Sequence, residues 1–169
     1  QIIKTVPFPS NHVLAVCDSL CQAYKTSGAK DIYNQRVACY HIGRDLLKQK
    51  FPYIKDFVVH LRDIVYGKGN LSEKDILMML KSLPQNISRE KILKEIDSED
   101  TKKSIEAVPA AISSFPVRET LIYGLAECMR SRFGTELLLK NDISGFGRLM
   151  NISHDGDRVT RWVKDSTYK

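Results

Sequence analysis

The sequence predicts a predominantly helical α+β fold that contains at least one buried strand. Helix is indicated most clearly between Leu121 and Leu137, where apolar side chains recur every four residues along one face. Residues that favour helix N-caps, such as Ser72 and Ser88, stand before other helical stretches. A strand is indicated by the apolar run Val13–Cys17, which is short and has β-branched residues.

Two elements are predicted in the first fifty residues. Val13–Cys17 is the buried strand, and Asp31 is placed to cap a helix from about Ile32 to Lys48. The pair Phe51-Pro52 ends that helix, because proline has no N–H to continue its hydrogen bonds. Residues 54–66 stay open between strand and helix, since their apolar spacing fits both.

Three features are predicted in the middle of the chain. Ser72 caps a helix that Pro84 ends, and Ser88 caps the next helix, over residues 89–96. Residues 98–114 change from a charged stretch to small residues without an apolar period. We expect part of this last stretch to be a flexible connection.

Two helices are predicted after residue 116. Val117–Leu139 forms a long helix with one wide buried stripe. Asp142 can then cap a second helix, because its carboxylate accepts N–H groups of the first turn. Gly145 and Gly147 each disfavour that second helix by about 1 kcal/mol relative to alanine, so we expect a neighbour to pack closely against its backbone. Its predicted buried stripe consists of Ile143, Phe146, Leu149 and Met150.

Length and composition fit one soluble domain over residues 1–169. The hydrophobic fraction is 43% and the charged fraction 27%, both ordinary for a globular protein. No apolar run approaches the roughly 20 residues that a membrane-spanning helix needs, so no membrane partner is expected. The first residue is not methionine, and residues 165–169 contain no closing element. We therefore expect that both ends of the chain are truncated.

The net charge of +6 does not by itself indicate nucleic-acid binding. Basic and acidic residues alternate along the predicted helices, for example over residues 88–91 and 94–97. Interleaved charges of this kind are typical of solvated helix faces. We therefore expect no nucleic-acid partner.

The four cysteines predict reduced thiols and a cytoplasmic location. Cys17, Cys21, Cys39 and Cys128 include no C-x-x-C pair, which argues against a structural zinc site. Cys17 falls in the predicted strand and Cys128 in the long helix, where a thiol acts as a small apolar side chain. Cys21 or Cys39 would be reactive only in an exposed, electropositive site.

One group of side chains has the donor types of a cation site. His154-Asp155-Gly156-Asp157 carries an imidazole and two carboxylates. The same residues, with their glycine, also suit the C-terminal turn of a helix. The helix-turn interpretation is favoured, and no metal ligand is assigned.

Three motifs resemble galactokinases, which belong to the GHMP superfamily of small-molecule kinases. The segment Phe146–His154 has the sequence FGRLMNISH and resembles the family's F-G-x-L-M-x-x-S-H segment. Val13–Ser19, followed by Tyr33–Arg36 with the sequence YNQR, looks like the family's strand ending in serine and its Y-N-x-R helix start. Phe115–Arg118 matches a third stretch, and the three motifs occur in the family's order.

The resemblance implies that the chain is part of the C-terminal domain of a galactokinase-like sugar kinase. Such an enzyme uses ATP and Mg²⁺ to phosphorylate a monosaccharide hydroxyl, here that of galactose or a related sugar, at the anomeric position. In the family the tyrosine of Y-N-x-R binds the sugar, which implies a substrate contact for Tyr33. Arg36 and Arg118 fall on family arginines, and we expect both to tie helices together rather than to touch a ligand.

The parts that handle phosphate are not found in this sequence. The turn Gly67-Lys68-Gly69 lacks the glycine-serine run of the GHMP phosphate loop, and the family's catalytic aspartate and arginine lie upstream of the matched portion. No catalytic, cofactor-binding or metal-binding residue is therefore assigned. We expect this portion alone to be inactive.

Two alternatives stay open. The chain could be a non-catalytic module, derived from a kinase domain, that senses a sugar or binds a protein partner. A basic helical nucleic-acid binder is the weaker alternative. The sugar itself is also open, because Arg36 is followed by Val37-Ala38 where the family commonly has Glu-Cys.

Overall fold

The computed structural model describes residues 5–18, 20, 29–65 and 69–162, and its side chains are described except those of residue 29 and residues 157–162. Within these residues the chain forms six α-helices and one two-stranded sheet, which confirms the predicted helical α+β fold class. The helices are α1 (Ala29–Lys50), α2 (Glu73–Ser82), α3 (Arg89–Glu95), α4 (Glu99–Glu106), α5 (Val117–Leu139) and α6 (Ile143–Trp162), and the strands are β1 (Ile87–Ser88) and β2 (Ser114–Phe115).

The chain divides into two compact units. One comprises residues 23–125, and the other comprises residues 1–22 together with residues 126–169. The boundary between the units falls within α5. The single domain expected over residues 1–169 stays a prediction.

Helix α1 lies at the centre of the unit formed by residues 23–125. It packs against α4, against the 3₁₀ turn Pro52–Ile54 and against β2. Burial of this apolar surface is the main favourable term that holds the unit together. The fully buried side chains on α1 are Ala38, Cys39, Ile42 and Leu47, and those around them include Ile54, Met79, Ile92, Phe115 and Leu121.

Two glycines allow α1 and the first part of α5 to approach closely. A Cβ atom at Gly43 would collide with the methyl groups of Leu121, and one at Gly124 would lie 2.5 Å from Cε1 of Tyr40. Each helix therefore places a large side chain over a glycine of the other. Leu121 is fully buried, so it cannot swing away at low cost when the space at Gly43 is filled.

The sheet joins two segments that are distant in sequence. β1 and β2 are antiparallel, with Ile87 opposite Phe115 and Ser88 opposite Ser114. The side chain of Ser88 accepts the N–H of Lys91, as predicted for the N-cap of α3. The sheet thus sets the start of α3 directly beside the segment that leads into α5.

Arg89 binds the loop between α4 and β2 through main-chain carbonyl groups of the loop. Its guanidinium donates to the carbonyl oxygens of Val108 and Pro109, at 3.0 and 2.9 Å, and lies 5.6 Å from the centre of the Phe115 ring. Ile105 and Ile112 contribute further acceptors, at 3.0 and 3.1 Å. One planar donor therefore fixes both ends of the loop.

The flexible connection expected within residues 98–114 is wrong for residues 99–106. Residues 99–106 form α4, which begins after the N-cap Ser98. Thr101 is fully buried, and its hydroxyl donates to Asp45 Oδ2 of α1 at 2.6 Å. The charged composition concealed this helix because only Thr101 and Ile105 are buried in it.

The predicted buried strand Val13–Cys17 is also wrong. These residues have no regular structure and are exposed, with Val13 90% and Val16 97% accessible. Cys17 is exposed rather than buried. The described strands β1 and β2 pair with each other, and an apolar run becomes a strand only when another backbone takes up its hydrogen bonds.

Other predicted boundaries are confirmed or shifted by local chemistry. α5 has the predicted bounds, and Ser72 caps α2 through a reciprocal pair of hydrogen bonds with Asp75. α1 begins at Ala29, so Asp31 lies in its first turn and not at the cap. The sequence leaves residues 54–66 open between strand and helix. Among the described residues, one 3₁₀ turn, Pro52–Ile54, ends at the start of this region, and another, Leu61–Ile64, lies within it.

We expect Gly43→Ala to lower the free energy of unfolding by about 1–3 kcal/mol, because the added methyl overpacks the contact with Leu121. Gly147→Ala is the matched control, since no atom lies within 4 Å of its Cβ position. That substitution should raise the free energy of unfolding by up to about 1 kcal/mol through helix propensity. Thermal and urea unfolding followed by circular dichroism measure both. Equal stabilisation by the two alanines would contradict the close approach.

Candidate functional site

Tyr33, the predicted sugar contact, lies near the beginning of α1. Its side chain is 67% exposed, and the preceding Ile32 is 56% exposed. A phenol offers a donor and an acceptor beside an apolar ring, which suits a sugar hydroxyl. The position therefore gives a ligand in solution access to the phenol.

The two residues after Tyr33 anchor this end of α1. The Asn34 side-chain amide donates to the Ala107 carbonyl at 2.9 Å, and the Gln35 amide donates to the Ser114 carbonyl at 2.9 Å. Ala107 is the C-cap of α4, and Ser114 belongs to β2. The sequence alone does not indicate a role for either amide, although Asn34 belongs to the Y-N-x-R motif.

Arg118 has the structural role that was expected for it. Its Nε donates to the carbonyl oxygen of Leu83 at 2.7 Å, and its Nη2 donates to the same oxygen. Leu83 is the C-cap of α2, so Arg118 ties α5 to a helix end. Arg36 is half-buried on α1, and its expected role stays a prediction.

The connection between α5 and α6 uses two helix-end devices in succession. Asn141 has a φ of 56°, and the N–H groups of Asn141 and Asp142 donate to the carbonyls of Leu138 and Leu137. This pattern is a Schellman motif. Asp142 Oδ1 then accepts the N–H of Gly145 at 2.7 Å, as predicted for the cap of α6.

The F-G-x-L-M-x-x-S-H segment packs α6 onto the second half of α5. Phe146 lies over Gly134, where a Cβ atom would be 3.3 Å from the ring. The Ser153 hydroxyl donates to Glu127 Oε2 at 2.9 Å. The contact further along α6, at Ser153, is made with the earlier residue of α5, Glu127. The two helical segments are therefore antiparallel and form a helical hairpin.

The stripe and the glycines predicted for α6 are confirmed in part. Phe146 and Leu149 are half-buried, but Met150 is 58% exposed, so its placement in the stripe is wrong. A Cβ atom at Gly145 would come 2.5 Å from an oxygen of Asp142, whereas the surroundings of Gly147 are open. Close packing against the backbone therefore holds for one glycine of the two.

The His154–Asp157 group is not a helix end. α6 continues to Trp162, so the predicted turn is wrong, and His154 and Asp155 are exposed on the helix. A single glycine costs about 1 kcal/mol in a helix and does not end it by itself. Across residues 5–18, 20, 29–65 and 69–156, no three His, Cys, Asp or Glu side chains form a group that could hold a metal ion.

The described residue of the Gly67–Gly69 turn does not fit the phosphates of MgATP. Gly69 is the one residue of the Gly67–Gly69 turn within the described part, and its Cβ position is filled by the ring of Phe57. The glycine therefore makes room for an aromatic side chain and does not open a cradle for phosphate. No reaction step is assigned to residues of this turn.

Cys39 does not have an activated thiol. Cys39 is fully buried, and burial raises the pKa of its thiol to about 12, while a hydrogen bond with Thr120 opposes that shift. Such a thiol stays protonated near neutral pH and acts as a small apolar group. Cys21 lies outside the described residues.

A polar cluster lies where α1, α4 and the segment around His60 meet. Arg44 pairs with Asp45 at 2.8 Å and with Asp100 at 3.6 Å. One turn earlier, His41 has a buried Nδ1 without a hydrogen-bond partner. The ion pairs of the cluster join α1 to α4, and the imidazole beside them has one buried nitrogen without a partner.

The cluster makes stability depend on pH. Burial, then Arg44 and His60, lower the pKa of His41, against the opposing charges of Asp100 and Asp45. The unfolded chain therefore binds a proton more readily, and stability falls as the pH drops below about 6.5, the ordinary histidine value.

His41→Gln should flatten the dependence of the free energy of unfolding on pH, measured by urea unfolding between pH 7.5 and pH 5.5. Parallel slopes for the two proteins would contradict the assignment.

Comparisons with family models, with characterised proteins and with solved structures give no match to this chain. Across the described residues, every helix is too short or too polar to cross a bilayer. The interpretation of Tyr33 and of the α6 segment therefore depends on the motifs and on the geometry given above.

We expect Ser153→Ala to lower the free energy of unfolding by about 1 kcal/mol, since it removes a hydrogen bond to the Glu127 carboxylate. Ser144→Ala on the same helix is the control. Its hydroxyl accepts from Arg148 at 2.8 Å on the exposed face, so its effect should stay within about 0.5 kcal/mol. Urea unfolding of both variants tests this, and equal effects would argue against a packing role for Ser153.

Proposed function

We propose that this chain is part of a galactokinase-like sugar kinase of the GHMP superfamily, from its C-terminal domain. The intact enzyme transfers the γ-phosphoryl group of ATP to a monosaccharide hydroxyl, that of galactose or a related sugar at the anomeric position. The observation that carries the proposal is Tyr33, a 67% exposed phenol at the beginning of a helix whose next two side chains are anchored. A cytoplasmic location belongs to the same proposal.

In this proposal Tyr33 binds and orients the sugar. Its hydroxyl hydrogen-bonds to a sugar hydroxyl, and its ring gives the sugar an apolar surface. Fixing the sugar in this way lowers the entropic cost of bringing the acceptor hydroxyl in line with the phosphoryl group. ATP would supply the phosphoryl group and Mg²⁺ would neutralise part of its charge, both held by residues beyond those described.

The helical hairpin has a supporting role in the same proposal. In the segment that resembles the family motif, Phe146 and Ser153 contact α5. Phe146 packs over Gly134, and Ser153 donates a hydrogen bond to Glu127. These residues stabilise the domain and do not touch the substrate. The motif therefore supports the family assignment without adding a catalytic group.

We expect Tyr33→Phe to raise the KM for galactose by about 3- to 10-fold, because it removes one hydrogen bond worth about 0.5–1.5 kcal/mol. The measurement is a coupled assay of ADP release by the product of the whole gene that encodes this chain. The KM for ATP should not change, since the phenol contacts only the sugar.

Tyr53→Phe is the matched control, because Tyr53 is also exposed, at 55%, but lies in a 3₁₀ turn beyond the other end of α1. Its sugar KM should equal that of the wild type. Absence of ATP-dependent phosphorylation of galactose and of related monosaccharides would refute the kinase proposal. Galactose binding without ATP binding, measured by calorimetry on the whole gene product, would favour the sugar-sensing alternative.

A further inference from the structure

We infer that Asn34 is a positioning residue for Tyr33, which its side-chain amide keeps in place by fastening the beginning of α1 to the end of α4. This inference rests on the proposed function, because it assigns the amide to the same sugar contact. Asn34 itself does not touch the sugar.

The chemistry of the Asn34 contact requires a hydrogen-bond donor. Its Nδ2 donates at 2.9 Å to the carbonyl oxygen of Ala107, the C-cap residue of α4. Carbonyl groups at a helix C-terminus have no partner within the helix and carry the negative end of its dipole. An N–H donor is therefore stabilising at this place, whereas a carboxylate would be repelled.

A second amide makes the anchoring directional. Gln35 donates at 2.9 Å to the carbonyl of Ser114 on β2. Consecutive residues on a helix point about 100° apart, so Asn34 and Gln35 hold α1 from two sides. Two contacts in different directions resist rotation of the helix about its axis. Such a rotation would displace the hydroxyl of Tyr33.

The support under Asn34 is itself held firmly. Arg89 donates to the carbonyls of Val108 and Pro109, directly after Ala107. The chain of contacts thus runs from Arg89 through the α4–β2 loop to Asn34 and ends at Tyr33. All of these residues lie within the unit formed by residues 23–125.

The chain contains a matched control for this bond. Gln49, at the other end of α1, donates at 2.9 Å from its side-chain amide to the carbonyl of Glu95. It has the same bond type and length on the same helix, but it lies 16 residues from Tyr33. A general stabilising effect on α1 would appear for both amides, whereas positioning of Tyr33 would appear for Asn34 alone.

The test is ¹⁹F NMR of the 169-residue chain labelled with 3-fluorotyrosine. The Tyr33 resonance is assigned by its loss in Tyr33→Phe. Asn34→Asp keeps the shape of the side chain and replaces the N–H donor by an acceptor. We expect it to shift the Tyr33 resonance, whereas Gln49→Glu leaves that resonance in place. Asn34→Ala, which adds no charge, replaces Asn34→Asp if the latter does not fold.

Kinetics of the whole gene product give the second readout. Asn34→Asp should raise the KM for galactose by about 3- to 10-fold, the value of one hydrogen bond, with the KM for ATP unchanged.

An unchanged Tyr33 resonance, or equal shifts in the Asn34 and Gln49 variants, would overturn the positioning role. If Tyr33→Phe raises the sugar KM and Asn34→Asp does not, the positioning role fails while the proposed function stands. If the wild type phosphorylates no sugar, the proposed function fails, and the positioning role of Asn34 for a sugar contact fails with it.

Discussion

The close approach of α1 and the first part of α5 is the constraint on which the larger unit depends. Gly43 and Gly124 leave room for Leu121 and Tyr40, so each helix receives a side chain of the other. With that spacing fixed, the remaining faces of α1 are free to take α4, β2 and the 3₁₀ turn after Pro52. The small volume at two glycine positions thus allows α1 and the first part of α5 to come close together.

Arg89 complements this apolar contact with a polar one. It binds main-chain carbonyls at both ends of the α4–β2 loop, and its charge faces the Phe115 ring. A guanidinium suits such a site because its planar N–H groups can donate to several acceptors at once. A loop whose carbonyls are satisfied in this way is a firm base for the beginning of α1. The candidate sugar contact therefore depends on polar groups that lie away from it.

Local chemistry could be predicted from the sequence, and tertiary pairing could not. Ser72, Ser88 and Asp142 were recognised as caps because a cap acts within one helical turn. α4 was missed because its burial depends on contacts with α1 that no local pattern records. Val13–Cys17 was misassigned for the converse reason, since an apolar run is compatible with a strand but does not supply the strand beside it. Tyr33 was singled out by a motif, whereas the anchoring amides became visible only with their carbonyl partners.

The α5–α6 hairpin has a consequence for how its motif should be recognised. Phe146 and Ser153 are seven residues apart, and so are their partners Gly134 and Glu127 on the preceding helix. One residue inserted within the helical part between Ile143 and Phe146 would turn the rest of α6 by about 100° relative to α5 and separate both pairs together. In this chain, residues 146–154 are thus one half of a two-helix contact. Glu127 and Gly134 form the other half.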